Sequence, residues 1–243
     1  MAPAPKFSLE EQEKLILFAA VTAIEKSTLL DFSMSSIAKL AGLSMGSVYK
    51  FVQCKEDLLI ALATKMYQEK QRVFSQVLAL PLTTPERIIG LSLLDFSKVQ
   101  MYSFDDQLES IVNTCSIMKR SSPRWLDYMI NCSKVCEDSF QVLLQAAVDS
   151  KELQSVVSNE MEQINIGAWS LAVGYFQTVR LHHGRNHNQQ DVDAAQDCIS
   201  ALTVDNVHIL NLQRFMNSFD WREKVSKQDI EKVAEHLVAL ALR

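Results

Sequence analysis

The chain has few of the residues that interrupt regular structure. Of its 243 residues only six are glycine and five are proline. It is instead rich in Leu, Ala, Gln, Lys and Glu, which are good helix formers. Sparse turn residues together with this composition predict an almost entirely helical fold.

Long apolar runs are missing as well. No run approaches the roughly 18–20 residues that span a bilayer, so no membrane segment is expected. The first residues, MAPAPKFSLEE, lack the apolar core of a secretory signal. The five cysteines are odd in number and their spacing suggests no disulfide framework, so a reducing cytoplasm is the expected compartment.

Positive charge is scarce, because 24 Lys and Arg face 29 Asp and Glu and leave a net charge of −5. The deficit is uneven. Residues 1–72 hold nine basic and eight acidic side chains, whereas the remainder holds 15 and 21. The first third is therefore the less repulsive surface for a polyanion, although it is not strongly basic.

Signatures of catalysis and of metal binding are absent from the sequence. There is no glycine-rich phosphate loop, no GxSxG elbow, no CxxC pair and no HExxH motif. Cys132 and Cys136 share a predicted helical face, but zinc needs about four converging ligands, so buried structural thiols are the better interpretation. We therefore expect no enzyme activity, no metal and no cofactor.

The first third of the chain carries the signals of three helices. Ser8 and Glu11 have the pattern of a capping box at the start of the first. Ser33 and Ser44 are candidate N-caps of the next two helices. Gly42 stands between these, where a helix end favours a residue that tolerates positive φ. The predicted helices are 9–26, 34–41 and 45–52.

A long helix is predicted to begin at Lys55 and to end near residue 80, before Pro81 and Pro85 break the chain. Beyond it one helical pattern follows another, and the polar run 182–191 is the predicted loop of this half. The predicted helices of the second half are 85–101, 105–120, 123–150, 158–184, 191–218 and 226–243.

Residues 33–52 have the pattern of a helix-turn-helix. Its second helix would lie in the major groove of DNA while the first crosses the backbone. An ordinary helical hairpin within a bundle would give the same pattern, and the motif alone leaves that alternative open. The predicted inner face consists of Ile37, Ala38, Ala41, Leu43, Val48 and Val52. The predicted outward face consists of Met45, Gly46, Ser47, Tyr49 and Lys50.

The segment IAKLAGLSMGSVY, with the helix before it and the long helix after it, resembles the TetR family of transcriptional regulators. The resemblance covers about residues 9–66, and the second half matches only in its general helical pattern. It implies that Ser47 and Tyr49 contact DNA and that Lys55 binds a phosphate beside a helix N-terminus. The chain departs from the family pattern at Phe51-Val52, where His-Phe is common, and at Ser27, where a glycine is usual.

The outward face carries no Arg, Asn or Gln, the side chains that make bidentate contacts to guanine or adenine. Direct base readout is therefore expected to be sparse, with DNA shape supplying part of the specificity. Tyr49, Lys50 and Lys55 are expected to contact phosphates. The predicted DNA-binding residues are Ser44, Met45, Gly46, Ser47, Tyr49, Lys50, Lys55 and Lys39.

One short recognition helix reads few base pairs, so a two-fold dimer is expected. The segment 164–180 is the first candidate for its interface, because two glycines seven apart share a helix face. A tightly packed internal core helix would explain them equally well, and the final helix is a second candidate. The predicted interface residues are Gly167, Leu171 and Gly174.

Bulky, adaptable side chains are frequent in the middle of the chain and predict an apolar effector pocket between helices. For any one of them ordinary core packing is the alternative. The predicted lining residues are Phe96, Met101, Tyr102, Met118, Trp125, Tyr128, Met129, Phe140, Trp169 and Phe176.

Together these patterns predict an all-α protein of two parts. A three-helix DNA-binding head, residues 1–54, would precede a larger helical ligand-binding and dimerisation domain, residues 55–243, with helix 55–80 linking them. The expected function is ligand-responsive repression, in which a homodimer binds a palindromic double-stranded operator and a small, largely apolar effector releases it. The alternatives are a helical adaptor without DNA binding, and a DNA-binding activator or chromosome-organising factor.

Overall fold

A computed structural model describes residues 7–154, 159–186 and 200–243. The described chain is helical, which confirms the predicted all-α class, and an antiparallel bridge joins Leu153 to Trp221. The helices are α1 (Leu9–Lys26), α2 (Met34–Ala41), α3 (Met45–Phe51), α4 (Lys55–Leu78), α5 (Thr84–Ser92), α6 (Phe96–Val99), α7 (Asp105–Val112), α8 (Cys115–Arg120), α9 (Pro123–Asp149), α10 (Glu160–Asn186), α11 (Val207–Asn217) and α12 (Lys227–Ala239).

Local capping fixes the starts of several helices, as predicted. The Ser8 hydroxyl accepts from the Glu11 amide, and the Glu11 carboxylate accepts from the Ser8 amide, which completes a capping box on α1. Ser33 and Ser44 cap α2 and α3 through their hydroxyls. The three predicted N-caps are therefore confirmed, and Ser226 begins α12 with a capping box of the same kind.

Two predicted helices are each broken in two. The prediction of 85–101 was wrong because Asp95 interrupts it, accepting from the Ser97 amide at 3.1 Å to begin α6. The prediction of 105–120 was wrong because the Asn113 side chain and the Thr114 hydroxyl bond to backbone carbonyls of the preceding turn. Such local bonds compete with helix continuation, and α8 starts anew after Thr114.

The predicted loop at 182–191 and the predicted helix 191–218 also need correction. Helix α10 continues to Asn186, so the first half of that polar run is helical, and residues 187–191 lie outside the described residues. The described chain from 200 to 206 is not helical, and α11 begins only at Val207, with Asn206 as its N-cap. The final helix ends at Ala239, and the Leu242 amide returns to the Leu237 carbonyl at 2.9 Å.

The described residues form two compact units. The first unit contains the chain up to Glu69 together with Gln100–Val135. Its core is built on α1 to α3 and on the N-terminal half of α4, with Ile16, Ile37 and Leu58 fully buried. The Asn113 amide donates to the Tyr67 hydroxyl at 3.1 Å and thereby joins α7 to α4 within this unit.

The second unit contains Lys70–Val99 and the described residues from Cys136 onward. Helix α5 packs against α11 and α12 there, and a Cβ on Gly90 would lie 3.1 Å from Val233. A buried polar group, His208, has its Nε2 atom 3.0 Å from the Ser92 hydroxyl and its ring stacked on Tyr175.

Helices α4 and α9 each contribute residues to both units. None of the described helices is both long enough and apolar enough to cross a membrane.

Candidate nucleic-acid interface

The turn between α2 and α3 is built on Gly42. Its φ of 64° and ψ of 29° lie in the left-handed region, as predicted for this position. The Gly42 amide donates to the Lys39 carbonyl at 3.2 Å, and the Leu43 amide donates to the Ala38 carbonyl at 3.0 Å. These bonds satisfy the last carbonyls of α2 and turn the chain directly into α3.

The predicted inner face of the motif is confirmed. Ile37, Ala38 and Ala41 are buried on α2, and Val48 is buried on α3. Val52 follows α3 and is also buried, while Leu43 is half-buried at the corner and packs against the same core. The small side chains of α2 allow α3 to approach it closely, so the opposite side of α3 faces outward.

The outward residues of α3 are accessible. Met45 is 37% exposed and Tyr49 is 47% exposed, and Gly46 and Lys50 are exposed beside them. Lys39, on α2, is also exposed. Ser44 is exposed as well, so six of the eight predicted DNA-binding residues are available at the surface of the described structure.

The two serines of the predicted site are tied to the start of α3. The Ser44 hydroxyl accepts from the Ser47 amide at 3.1 Å and lies 3.1 Å from the Ser47 hydroxyl. Ser44 thus serves as the N-cap, and that contact holds the hydroxyl of the half-buried Ser47 on the first turn of α3. Mutual bonding pre-orders both side chains.

Lys55 is held by two residues, Leu30 and Phe32, that were not among the predicted site residues. Its ammonium donates to the Leu30 carbonyl at 3.2 Å and lies 4.7 Å from the centroid of the Phe32 ring. An ammonium has three donors, so the bond to Leu30 leaves capacity for a further acceptor. The connector between α1 and α2 therefore orients this lysine at the start of α4.

The departure from the family pattern at Phe51-Val52 has a structural consequence. Val52 is fully buried, and the half-buried Phe51 ring packs edge-on against Trp125 with 5.0 Å between centroids. The indole N–H of Trp125 also donates to the Phe51 carbonyl at 3.2 Å. Trp125 was predicted as a pocket residue, and it contacts the end of α3, 74 positions earlier in the chain.

The predicted pocket residues divide between the two units. In the first unit Trp125 and Met129 are buried, Tyr128 lies 6.3 Å from Trp125 between ring centroids, and Tyr102 stacks on Phe104. The two predicted methionines of this unit differ, since Met118 is half-buried and Met101 is 45% exposed.

In the second unit Phe96 packs edge-on against Phe176 at 5.7 Å between centroids. Phe140 packs against Phe74, and both line a shallow cleft between α4 and α9 that encloses almost no space. Effector-sized pockets are larger, about 300–1,000 Å³. Trp169 is 66% exposed. The pocket therefore stays a prediction.

The predicted interface glycines on α10 have different surroundings. A Cβ on Gly167 would lie within 2.8 Å of Cε2 of the Phe215 ring, so this glycine is packed inside the second unit. Leu171 is half-buried against the same core. A Cβ on Gly174 would meet no atom within 4 Å, and this glycine faces outward.

No family model matches the chain, and no curated protein matches it. Solved structures do match its fold. A regulator of the TetR/AcrR family from Thermobifida fusca YX-ER1 superposes with a TM-score of 0.56 at 17% identity, over 86% of this chain and 97% of that one. The regulator FadR from Bacillus subtilis, in complex with stearoyl-CoA, gives a TM-score of 0.51 at 18% identity, over 77% and 95%.

Proposed function

From its TetR-type fold, we propose that this chain is a DNA-binding transcriptional regulator that acts as a homodimer on a palindromic operator. The observation that carries the proposal is the exposed face of α3, beside a left-handed glycine turn and a pre-ordered serine pair. An ordinary helical hairpin would not need Tyr49 exposed or Lys55 held at the start of α4. The structural neighbours are regulators and not enzymes, which agrees with the lack of catalytic signatures.

Contacts to the DNA phosphates are proposed to come from Tyr49, Lys50 and Lys55, with an additional contact from Lys39. Phosphate contacts from these residues would set orientation and affinity. Base reading would fall to Met45, Gly46 and Ser47, whose small or apolar groups suit thymine methyl contact and close backbone approach. Spacing between the two heads of a dimer would then contribute much of the specificity.

Replacing Lys50 or Lys55 with alanine should weaken binding to all duplexes alike. Each phosphate contact contributes about 0.9 to the slope of log affinity against log salt, so removing one contact per subunit lowers a dimer's slope by roughly 2. The operator would first be selected from a random duplex pool, and affinities would then be measured by fluorescence anisotropy across a salt series.

Lys232→Ala is the matched control, since Lys232 is an exposed lysine on α12 in the second unit. Its salt slope should equal that of the wild type. The proposal fails if the pool yields no enriched palindrome, or if the Lys50 and Lys232 variants change the slope equally.

The surface proposed for dimerisation is a stripe on α10. Its apolar side chains recur at helical spacing, and Gly174 between them would let a partner helix approach closely. A second copy of this chain is the proposed occupant because a two-fold dimer would present two recognition helices to one palindrome. The exposed stripe residues are Ile166, Trp169, Val173, Gly174 and Leu181.

We propose repression relieved by an effector with a large apolar part. Of the residues predicted for the pocket, Phe96 and Phe176, which pack together within the second unit, are its proposed contacts. The FadR neighbour was solved with stearoyl-CoA, whose long acyl chain has this chemical character. Stearoyl-CoA and free coenzyme A are therefore the matched probes, because they share a headgroup and differ in the apolar chain.

Stearoyl-CoA should lower operator affinity by roughly 5- to 150-fold, the usual range of allosteric coupling. Free coenzyme A should leave it unchanged. Anisotropy of the labelled operator, with each probe titrated into the preformed complex, measures both. Equal operator affinity with and without saturating stearoyl-CoA, measured after direct binding has been shown calorimetrically, would contradict relief by this ligand class.

A further inference from the structure

The recognition helix α3 is too short to hold its own orientation. It has seven residues, about two turns, and isolated helices of this length are not stable in water. Its N-terminus is capped locally by Ser44, but its C-terminal carbonyls need partners from elsewhere. Val52 supplies one through its amide, which donates to the Val48 carbonyl.

The next partner comes from a remote part of the chain. The Phe51 carbonyl, at the end of α3, accepts from the Trp125 indole at 3.2 Å, and Trp125 is itself only 7% exposed. The two rings pack edge-on at 5.0 Å, which adds a directional contact to the hydrogen bond. The first turn of α9 therefore caps the end of α3.

A buried carboxylate joins the same two segments a second time. Asp57 is fully buried, and one of its oxygens accepts from the Gln53 amide at 2.9 Å while the other accepts from the Ser122 amide at 2.7 Å. Gln53 follows α3 and Ser122 precedes α9. A single side chain thus satisfies the backbone on both sides of the joint.

Two further contacts lie beside it. The Arg120 guanidinium pairs with the Glu56 carboxylate at 2.9 Å, and the Cys54 thiol lies 3.5 Å from the Arg120 carbonyl. Apart from the bond between Gln53 and Asp57, every contact runs between residues 51–57 and residues 120–125, and all lie within the first unit. We call this set of contacts the latch.

We propose that Trp125 and Asp57 are positioning residues for DNA recognition: through the latch, the junction of α8 and α9 sets the orientation of α3. The proposal rests on the DNA-binding function proposed above. With the latch closed, α3 has one orientation against its neighbours. With the latch weakened, α3 samples several orientations, and only the fraction that fits the groove reads the operator.

The latch acts on specificity more than on general affinity. Contacts to phosphates are made with any sequence, whereas base-edge contacts need α3 at the correct angle in the groove. The informative quantity is therefore the specificity ratio, the affinity for the selected operator divided by that for a scrambled duplex of equal length in the same salt.

Trp125→Phe keeps an aromatic ring against Phe51 and removes the indole N–H. A hydrogen bond of this kind contributes about 0.5–1.5 kcal/mol, so the specificity ratio should fall about 2- to 10-fold. Asp57→Asn should lower the ratio further, because an amide has one carbonyl oxygen for two backbone donors and turns its own NH₂ toward the other. Amides at the end of α3 should exchange faster with solvent in both variants.

Trp221→Phe is the matched control. Trp221 is also buried and its indole also donates to a helix carbonyl, that of Met216 at 2.8 Å, but it belongs to the second unit. Its loss should lower thermal stability about as much as Trp125→Phe and leave the specificity ratio unchanged. An unchanged ratio in Trp125→Phe, or an equal fall in both variants, would overturn the latch. A wild-type protein without any preferred duplex would instead overturn the proposed function itself.

Discussion

Acidification from about pH 7 to pH 4 is expected to remove up to about 3 kcal/mol of folding free energy through His208 alone. Burial lowers the pKa of His208 to about 4, against 6.5 for an exposed histidine. The side chain is 2% exposed, between the Ser92 hydroxyl and the Tyr175 ring, so protonation places an unpaired charge in the core of the second unit.

Acid destabilises the folded protein because burial lowers the pKa of His208 below that of the unfolded chain. The folded state binds its proton less readily than the unfolded state, so the contribution is complete above pH 6.5 and is lost as the pH falls toward 4. The difference between the folded and unfolded pKa values sets how much folding free energy is lost, at about 1.4 kcal/mol for each pKa unit. Below pH 4 both states are protonated and the loss does not grow.

Denaturant unfolding at a series of pH values tests this, with His208→Gln as the comparison because glutamine stays neutral and can still bond to Ser92. Subtracting the two curves removes the carboxylates that titrate in the same range. The difference should change steadily between pH 6.5 and 4. Parallel curves for the two proteins would show that the buried histidine is not the titrating group.

Sequence reasoning succeeded where the determining interaction is local. A cap joins residues three apart, so the helix starts at Ser8, Ser33 and Ser44 can be recognised from the sequence alone. The positive φ of Gly42 is likewise a property of one residue in one turn. The helix-turn-helix was therefore predictable almost to its ends.

Sequence reasoning failed where a local side-chain bond ends a helix although the apolar pattern continues past that point. The apolar periodicity of 105–120 continues through Asn113 and Thr114, although these two side chains bond to the backbone and stop the helix. The contact between Trp125 and Phe51 spans 74 residues and leaves no periodic signal. A buried tryptophan in a helical region looks the same whether it lines a pocket or caps another helix.

The two glycines of α10 differ in their surroundings, since Gly167 packs against Phe215 and Gly174 faces open space. Gly167→Leu should lower the free energy of unfolding by about 3 kcal/mol, because its side chain would displace the Phe215 ring, which already packs against Phe219 at 5.1 Å. Gly174→Leu meets open space and should leave folding intact, since leucine is the better helix former by about 1 kcal/mol.

The expected effects on assembly are reversed. If α10 carries the dimer contact, a leucine at Gly174 holds the partner helix away, and sedimentation should show a folded monomer at concentrations where the wild type is dimeric. Gly167→Leu should lose stability before it loses the dimer, in chemical unfolding followed at two protein concentrations. A Gly174→Leu protein that dimerises like the wild type would remove the α10 stripe as the interface and leave the final helix, α12, as the remaining candidate. The two variants thus distinguish internal packing at Gly167 from assembly at Gly174. The seven-residue separation of the glycines in the sequence does not make that distinction.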